Sequence, residues 1–230
     1  MFHYGDVPIF AAYNIILGKT SLAAKGEKMK TIDKRLAIRY LAITAVLGAL
    51  SFVLQLFEFP LPFLIPSFVE FDFSDLPALV ASFSMGPVSG VSVALIKNVL
   101  HLPMTTTGCV GELANFLLSA SFVGAAGTIY RFHKNRAGAL IGSLTGSVVM
   151  GVISVPINYF ITYPIYYNFM PKDAILAAYQ AIFPFVGDIY TCLWFFNAPF
   201  NLFKGLVITL ITFLIYKHIS PIIKGKKTKV

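Results

Sequence analysis

The segment AGALIGSLTGSVVMGVISVPINYFITYPIYY, Ala137–Tyr167, runs for 31 residues without one charged side chain. About 20 apolar residues carry a helix across the roughly 30 Å hydrocarbon core of a bilayer. This segment is therefore long enough to span, and it lacks the polar face that a soluble amphipathic helix keeps toward water. Similar runs lie on either side. Leu36–Leu56 carries one charge, Arg39, and Cys109–Tyr130 carries only Glu112. Leu193–Leu202 leads into Gly205–Tyr216, with Lys204 the single charge in between. The 230 residues are 57% hydrophobic and 12% charged, against about 25% charged in soluble domains. The chain reads as an all-α integral membrane protein.

Its basic residues orient it. Of 18 Lys and Arg, seven precede residue 40, three lie in Arg131–Arg136 and five in Lys217–Lys229. Acids gather elsewhere, at Glu58, Glu70, Asp72, Asp75, Asp173 and Asp188. The positive-inside rule then places both termini and the 131–136 loop in the cytoplasm, which requires an even number of crossings. The net charge of +8 is mainly a topology signal and points to no nucleic-acid partner; the expected surroundings are the lipid bilayer of the cell membrane, crossed several times.

Six helices are expected, at about 34–56, 75–85, 88–101, 109–131, 137–165 and 197–217, forming a six-transmembrane-helix bundle over 31–223. Residues 1–30 read as an N-terminal extension, a mobile or surface-lying tail, and 224–230 as a basic cytoplasmic tail. Between the first two helices lies Phe57-Glu-Phe-Pro-Leu-Pro-Phe-Leu-Ile-Pro66. Prolines cannot continue a helix and extend the residue before them, so this segment should cross the outer mouth of the bundle as an ordered loop. Ser74 and Asp75 look like a cap and first turn. Asp173–Phe183, within the long outer segment 166–195, reads as a short surface helix.

Polar groups inside a bilayer are costly and ask for a partner or a purpose. The set is Lys97, Asn98, Glu112, Asn115, Asn158, Asn201 and Lys204. Glu112 with Asn115, and Asn201 with Lys204, are three residues apart and share a helix face. Lys97 and Glu112 are expected to pair, with Lys97 and Asn98 structural. Lys204 would then have no acid of its own inside the bundle and be free for a ligand. Together these residues outline an outward-opening binding cavity under the proline-rich loop. Cys109 and Cys192 make no disulfide framework, and the four histidines have no metal-ligand spacing. No nucleophile elbow, HExxH or P-loop occurs, so an activity driven by ATP would need its ATPase on another chain.

Read in order, Phe71-Asp-Phe-Ser-Asp-Leu-Pro-Ala-Leu79, Met85-Gly-Pro87, Lys97-Asn-Val-Leu-His101, Gly111-Glu-Leu-Ala-Asn-Phe116 and Phe200-Asn-Leu-Phe-Lys-Gly205 resemble the riboflavin-specific S-components of energy-coupling factor (ECF) transporters, over about Thr31–Ile223. The resemblance implies a six-helix fold that binds riboflavin as transported ligand, with no cofactor and no catalysis. It also implies partners: a membrane T-component and two ATP-binding subunits. Asn158, Asn201 and Lys204 match ligand-contacting positions of the riboflavin branch, and Tyr166 ends its Pro-x-Tyr pattern. Ala45 and Ala49 match the AxxxA docking pattern of helix 1. Leu61, Phe63 and Leu64 would cover the flavin ring, and Glu112 and Asn115 are further candidate binding residues. The 1–28 extension and the long 166–195 loop depart from the family pattern. Three rival readings remain: an S-component for another vitamin, an intramembrane enzyme using Glu112 and Lys97, and a stand-alone secondary transporter.

Overall fold

The computed structural model describes residues 34–105 and 107–224. The expected extension at 1–30 and all but the first residue of the tail at 224–230 lie outside the described residues. Helix α1 is Lys34–Gln55, α2 Asp75–Met85, α3 Pro87–His101, α4 Val110–Phe132 and α5 Arg136–Ile157. A π-helical turn, Asn158–Thr162, joins α5 to the short α6, Tyr163–Tyr166. Helix α7, Lys172–Gln180, leads to α8, Ile189–Cys192, and a second π-helical turn, Leu193–Asn197, joins α8 to α9, Ala198–Lys224.

Four of these helical segments are long and apolar enough to cross a membrane: Ile38–Gln55, Val110–Phe132, Arg136–Tyr166 and Ile189–Ile215. Large apolar side chains stand exposed around them, among them Val46, Phe160, Phe195 and Leu210. A soluble monomer does not leave that much contiguous apolar surface open; lipid covers it. Helices α2 and α3 are shorter, at 11 and 15 residues, or about 16 and 22 Å at 1.5 Å per residue. They form a tight hairpin. Gly86 turns it at φ 104°, in a region that side chains avoid, and Pro87 opens α3 where its missing N–H costs nothing.

The helices pack closely because small residues let backbones meet. A Cβ on Gly142 or Gly146 of α5 would stand 2.7 or 2.6 Å from a carbonyl oxygen of α4, that of Ala126 or Phe122. One buried cluster, including Leu79, Phe83, Val93, Phe122 and Met150, fills the middle of the bundle. A second fills the end bearing the loop of residues 56–74 and helix α7, with Ile65, Tyr163, Ile175, Tyr179, Leu193 and Phe196.

The proline-rich loop is ordered, as its composition predicts, by a two-residue antiparallel ladder pairing Phe59 with Phe71 and Pro60 with Glu70. Helix α7 forms at the surface as expected, with Lys172, Asp173, Ala174 and Ala177 exposed, and packs Ile175 and Tyr179 into the second cluster. Two expectations need correction. The last helical segment starts at Ile189, eight residues earlier than expected, because Asp188 caps it by accepting from the Thr191 N–H. Ser74 does not cap α2 with its side chain; its hydroxyl is used in the buried network described next.

Candidate ligand-binding cavity

A cavity of about 120 Å³ lies at the loop end of the bundle. Its roof is Phe68, Val69 and Glu70, and its wall includes Gly111, Ala114, Asn115 and Leu118 of α4. Asn158, Thr162, Tyr163 and Tyr166 line it from the α5–α6 segment, and Asn197, Phe200, Asn201 and Lys204 from the α8–α9 segment. The structure thus brings together Asn115, Asn158, Tyr166, Asn201 and Lys204, which the sequence singled out from separate helices.

The two π-helical turns give this wall its shape. A π turn widens a helix by one residue and occurs often at functional sites. Asn158–Thr162 ends two residues before Pro164, and Leu193–Asn197 two before Pro199. Proline supplies no donor to the ladder and crowds the carbonyl four residues back, so a wider turn ahead of it relieves the conflict. Asn158 Nδ2 donates to the Ser154 carbonyl at 2.8 Å, and Asn201 Nδ2 to the Asn197 carbonyl at 2.8 Å. Both amides are thereby fixed in orientation, each with an acceptor Oδ1 left for the cavity.

Behind this wall sits a buried charge network that changes the role of both lysines. Lys97 pairs with Asp75 at 2.7 Å, both side chains fully buried, and also donates to Ser74. Ser74 donates in turn to Asp72. Lys204 pairs with Asp72 at 2.8 Å and stands 3.9 Å from Asp75 Oδ2. Ser119 donates to Asp75 and lies 3.1 Å from Asn115 Oδ1. Two acids and two lysines therefore balance, and the network reaches the cavity through Lys204 and Asn115. The expected Lys97–Glu112 pair does not form. Lys204, expected to have no acid partner, has one. Asp72 and Asp75 were placed among the outer acids, but packing of the 71–75 segment into the bundle buries them at 1% and 0% exposure.

Glu112 belongs to a separate cluster beside the mouth. It accepts from the Thr105 hydroxyl at 2.8 Å and lies 3.0 Å from His101 Nδ1, while His101 Nε2 lies 3.7 Å from Glu58. Glu112 is absent from the cavity lining. So are Leu61, Phe63 and Leu64; Leu61 and Leu64 pack on the second cluster, and Phe63 is 76% exposed. Ile65 of the loop is fully buried in the second cluster, and the loop residues that line the cavity are Phe68, Val69 and Glu70. Asn98 is engaged structurally, donating to the Ala94 carbonyl and accepting from Gln55. Cys109 and Cys192 are both free thiols.

Partial burial, then the neighbouring Glu70 carboxyl, pushes the Glu58 carboxyl up from 4.5 to about 7, with Asp72 adding and His101 opposing. The folded state therefore keeps a proton on Glu58 that the unfolded chain releases above about pH 4.5. Stability of this loop packing is full in acid, falls as pH rises from about 4.5 to about 7, and is level beyond. Thermal midpoints of purified protein should be higher at about pH 5 than at about pH 8, and Glu58→Gln should reduce that difference. An unchanged difference in Glu58→Gln would remove this carboxyl as its source.

Residues 39–216 match the family model for the substrate-specific component of ECF transporters. The chain is 35% identical over 180 residues to the "Riboflavin transporter RibU" of Staphylococcus aureus (strain TCH60), covering 78% of this chain and 89% of that one. It is 29% identical over 194 residues to the "Riboflavin transporter FmnP" of Bacillus subtilis (strain 168), covering 83% and 97%. The fold superposes on the solved structure described as "Structure and mechanism of the S component of a bacterial ECF transporter" with a TM-score of 0.65 and 32% identity, covering 81% of this chain and 98% of that one.

Proposed function

The chain belongs to the family of substrate-specific components of ECF transporters, and on that premise we propose that it captures riboflavin in the cavity lined by Asn158, Asn201 and Lys204. The observation that carries the reading is the chemistry of that wall. Ligand pockets are mainly apolar with a few placed polar groups, and this one sets two fixed amide acceptors and one ammonium donor among Leu118, Met150, Tyr163 and Phe200. Riboflavin offers an apolar ring with a hydrogen-bonding edge and a hydroxylated tail. It is neutral near pH 7. Lys204 is balanced by Asp72, so the site has no free positive charge to favour an anion. This speaks for the neutral vitamin over ionic ones. A cavity of about 120 Å³ is below the roughly 300–1,000 Å³ of drug-sized ligand sites, so the site widens when it admits the whole molecule. The direct test is flavin fluorescence during titration of the purified chain. Quenching that saturates supports the reading, and a different co-purifying vitamin overturns it.

The crossings are then six: α1, α2, α3, α4, the α5–α6 segment and the α8–α9 segment, with both termini cytoplasmic and the cavity facing out. The clustering of basic residues supports this orientation. An impermeant thiol reagent applied outside should label cysteines introduced at Glu58 and Lys172 but not at Lys134. Labelling at Lys134 would invert or break the scheme.

Capture leads to uptake only through partners, a T-component with two ATP-binding subunits, as in the family. Docking on α1 through Ala45 and Ala49 fits their exposure, while Gly48 beside them faces inward against Ile96. Small exposed residues let another helix approach closely. Ala45→Trp with Ala49→Trp should keep riboflavin binding and lose uptake; intact uptake would exclude this face.

A further inference from the structure

We infer that Thr162 is a ligand-contacting, specificity-determining residue, whose hydroxyl hydrogen-bonds an uncharged hydroxyl or carbonyl of the bound molecule; the inference rests on the riboflavin reading above. Thr162 is 3% exposed and lines the cavity. Among the described residues its Oγ1 has no hydrogen-bond partner. Buried hydroxyls are normally satisfied, and an exception calls for an explanation.

The hydroxyl's neighbours in sequence sharpen the point. A serine or threonine inside a helix usually returns its hydroxyl to a carbonyl one turn back. Ser143, Ser147 and Ser154 of α5 do so, toward Ala139, Ser143 and Gly151, and Thr209 of α9 does so toward Gly205. Thr162 does not. It ends the π turn, across which the Tyr163 N–H reaches the Asn158 carbonyl five residues back. The carbonyl four residues before Thr162, that of Asn158, takes the Tyr163 N–H across this wider turn. Among the described residues, Thr44, Ser84 and Thr212 also bury hydroxyls without a partner, and none of them lines the cavity. The orphan that lines the cavity thus sits on the π turn, one turn along the helix from Asn158.

The partner this hydroxyl suits is neutral. A hydroxyl both donates and accepts by rotating, which matches an alcohol or a ring carbonyl. Asn197 stands on the facing π turn and also lines the cavity. Its Oδ1 accepts from the Tyr179 hydroxyl at 2.7 Å, and its side chain also hydrogen-bonds Tyr163, which fixes it in place beside the same ligand.

The test compares Thr162→Val, which keeps the shape and removes the hydroxyl, with Thr162→Ser, which keeps the hydroxyl. Each is titrated with riboflavin and with lumiflavin, which has the ring but not the hydroxylated tail, and each is melted without ligand. Thr162→Val should weaken riboflavin binding by about 5- to 30-fold. Thr162→Ser should stay within about 3-fold of wild type. The ligand-free thermal midpoint of Thr162→Val should be equal to or above wild type, because the hydroxyl removed had no partner to lose. A purely structural threonine would instead lower that midpoint. Loss for riboflavin alone places the contact on the tail, and loss for both flavins places it on the ring. Unchanged riboflavin affinity in Thr162→Val, or a fall in ligand-free stability that accounts for the weaker binding, overturns the inference. Wild-type protein that fails to quench flavin overturns the underlying reading as well.

Discussion

Lys97→Met is expected to cost about 3–5 kcal/mol of stability, the usual penalty for removing one partner of a buried ion pair. Lys97 is fully buried and holds both Asp75 and Ser74. Removing it leaves Asp75 with the Ser119 hydroxyl and a distant Lys204, in a site that water does not reach. Hydrophobic replacement of both partners is often close to neutral, so Lys97→Met with Asp75→Leu should recover much of the loss. The readout is the thermal midpoint of purified protein in detergent. A Lys97→Met midpoint equal to that of wild type would show that the network is not what holds α2 to α3. The double variant guards against a trivial reading, because general intolerance of methionine at this position would not be relieved from across the interface.

The spans were readable because lipid leaves no alternative: a backbone crossing hydrocarbon must satisfy its own hydrogen bonds, and a long uncharged run is the trace of that demand. Asn115, Asn158, Asn201 and Lys204 were readable for the same reason, as polar groups where polarity is expensive. Asp72 and Asp75 were hidden by the opposite circumstance. They stand in Phe71-Asp-Phe-Ser-Asp-Leu-Pro77, where an aspartate before a helix is ordinary and needs no burial to explain it. A charge count held the clue: Lys97 and Lys204 lie in apolar helices, and Glu112 is the one acid expected inside the bundle. Glu112 instead meets His101 and Thr105, brought back by the short connection between α3 and α4. Which residues of the loop face the cavity depends on the path of an irregular backbone, so Phe68, Val69 and Glu70 stand where Leu61, Phe63 and Leu64 were expected. The π turns left a sequence trace as well, in Pro164 and Pro199, which sit inside long apolar helical runs and mark where the ladder must adjust.

Lys204→Ala should weaken riboflavin binding by about 10- to 150-fold, the worth of roughly 1.5–3 kcal/mol for a hydrogen bond from a charged donor. Removing the ammonium also strips Asp72 of its closest counter-charge, at 2.8 Å, so this variant combines a disturbed wall with a lost contact. The two causes separate in the pair Lys204→Met with Asp72→Asn. Neutralising both partners removes the buried, uncompensated carboxylate, so stability should return toward wild type. If Lys204 touches the ligand, binding stays weak in this stable double variant, because no donor has been restored. If Lys204 serves only to neutralise Asp72, riboflavin affinity recovers together with the melting temperature. Lys204→Arg adds a third reading: it keeps the charge on Asp72 but presents a planar, wider group. A ligand contact predicts a stable protein with reduced affinity, and a purely structural pair predicts both near wild type. Flavin quenching and thermal midpoints measured on the same preparations decide between them. Recovery of affinity in the double variant would move the polar recognition of the vitamin from Lys204 to Asn158 and Asn201.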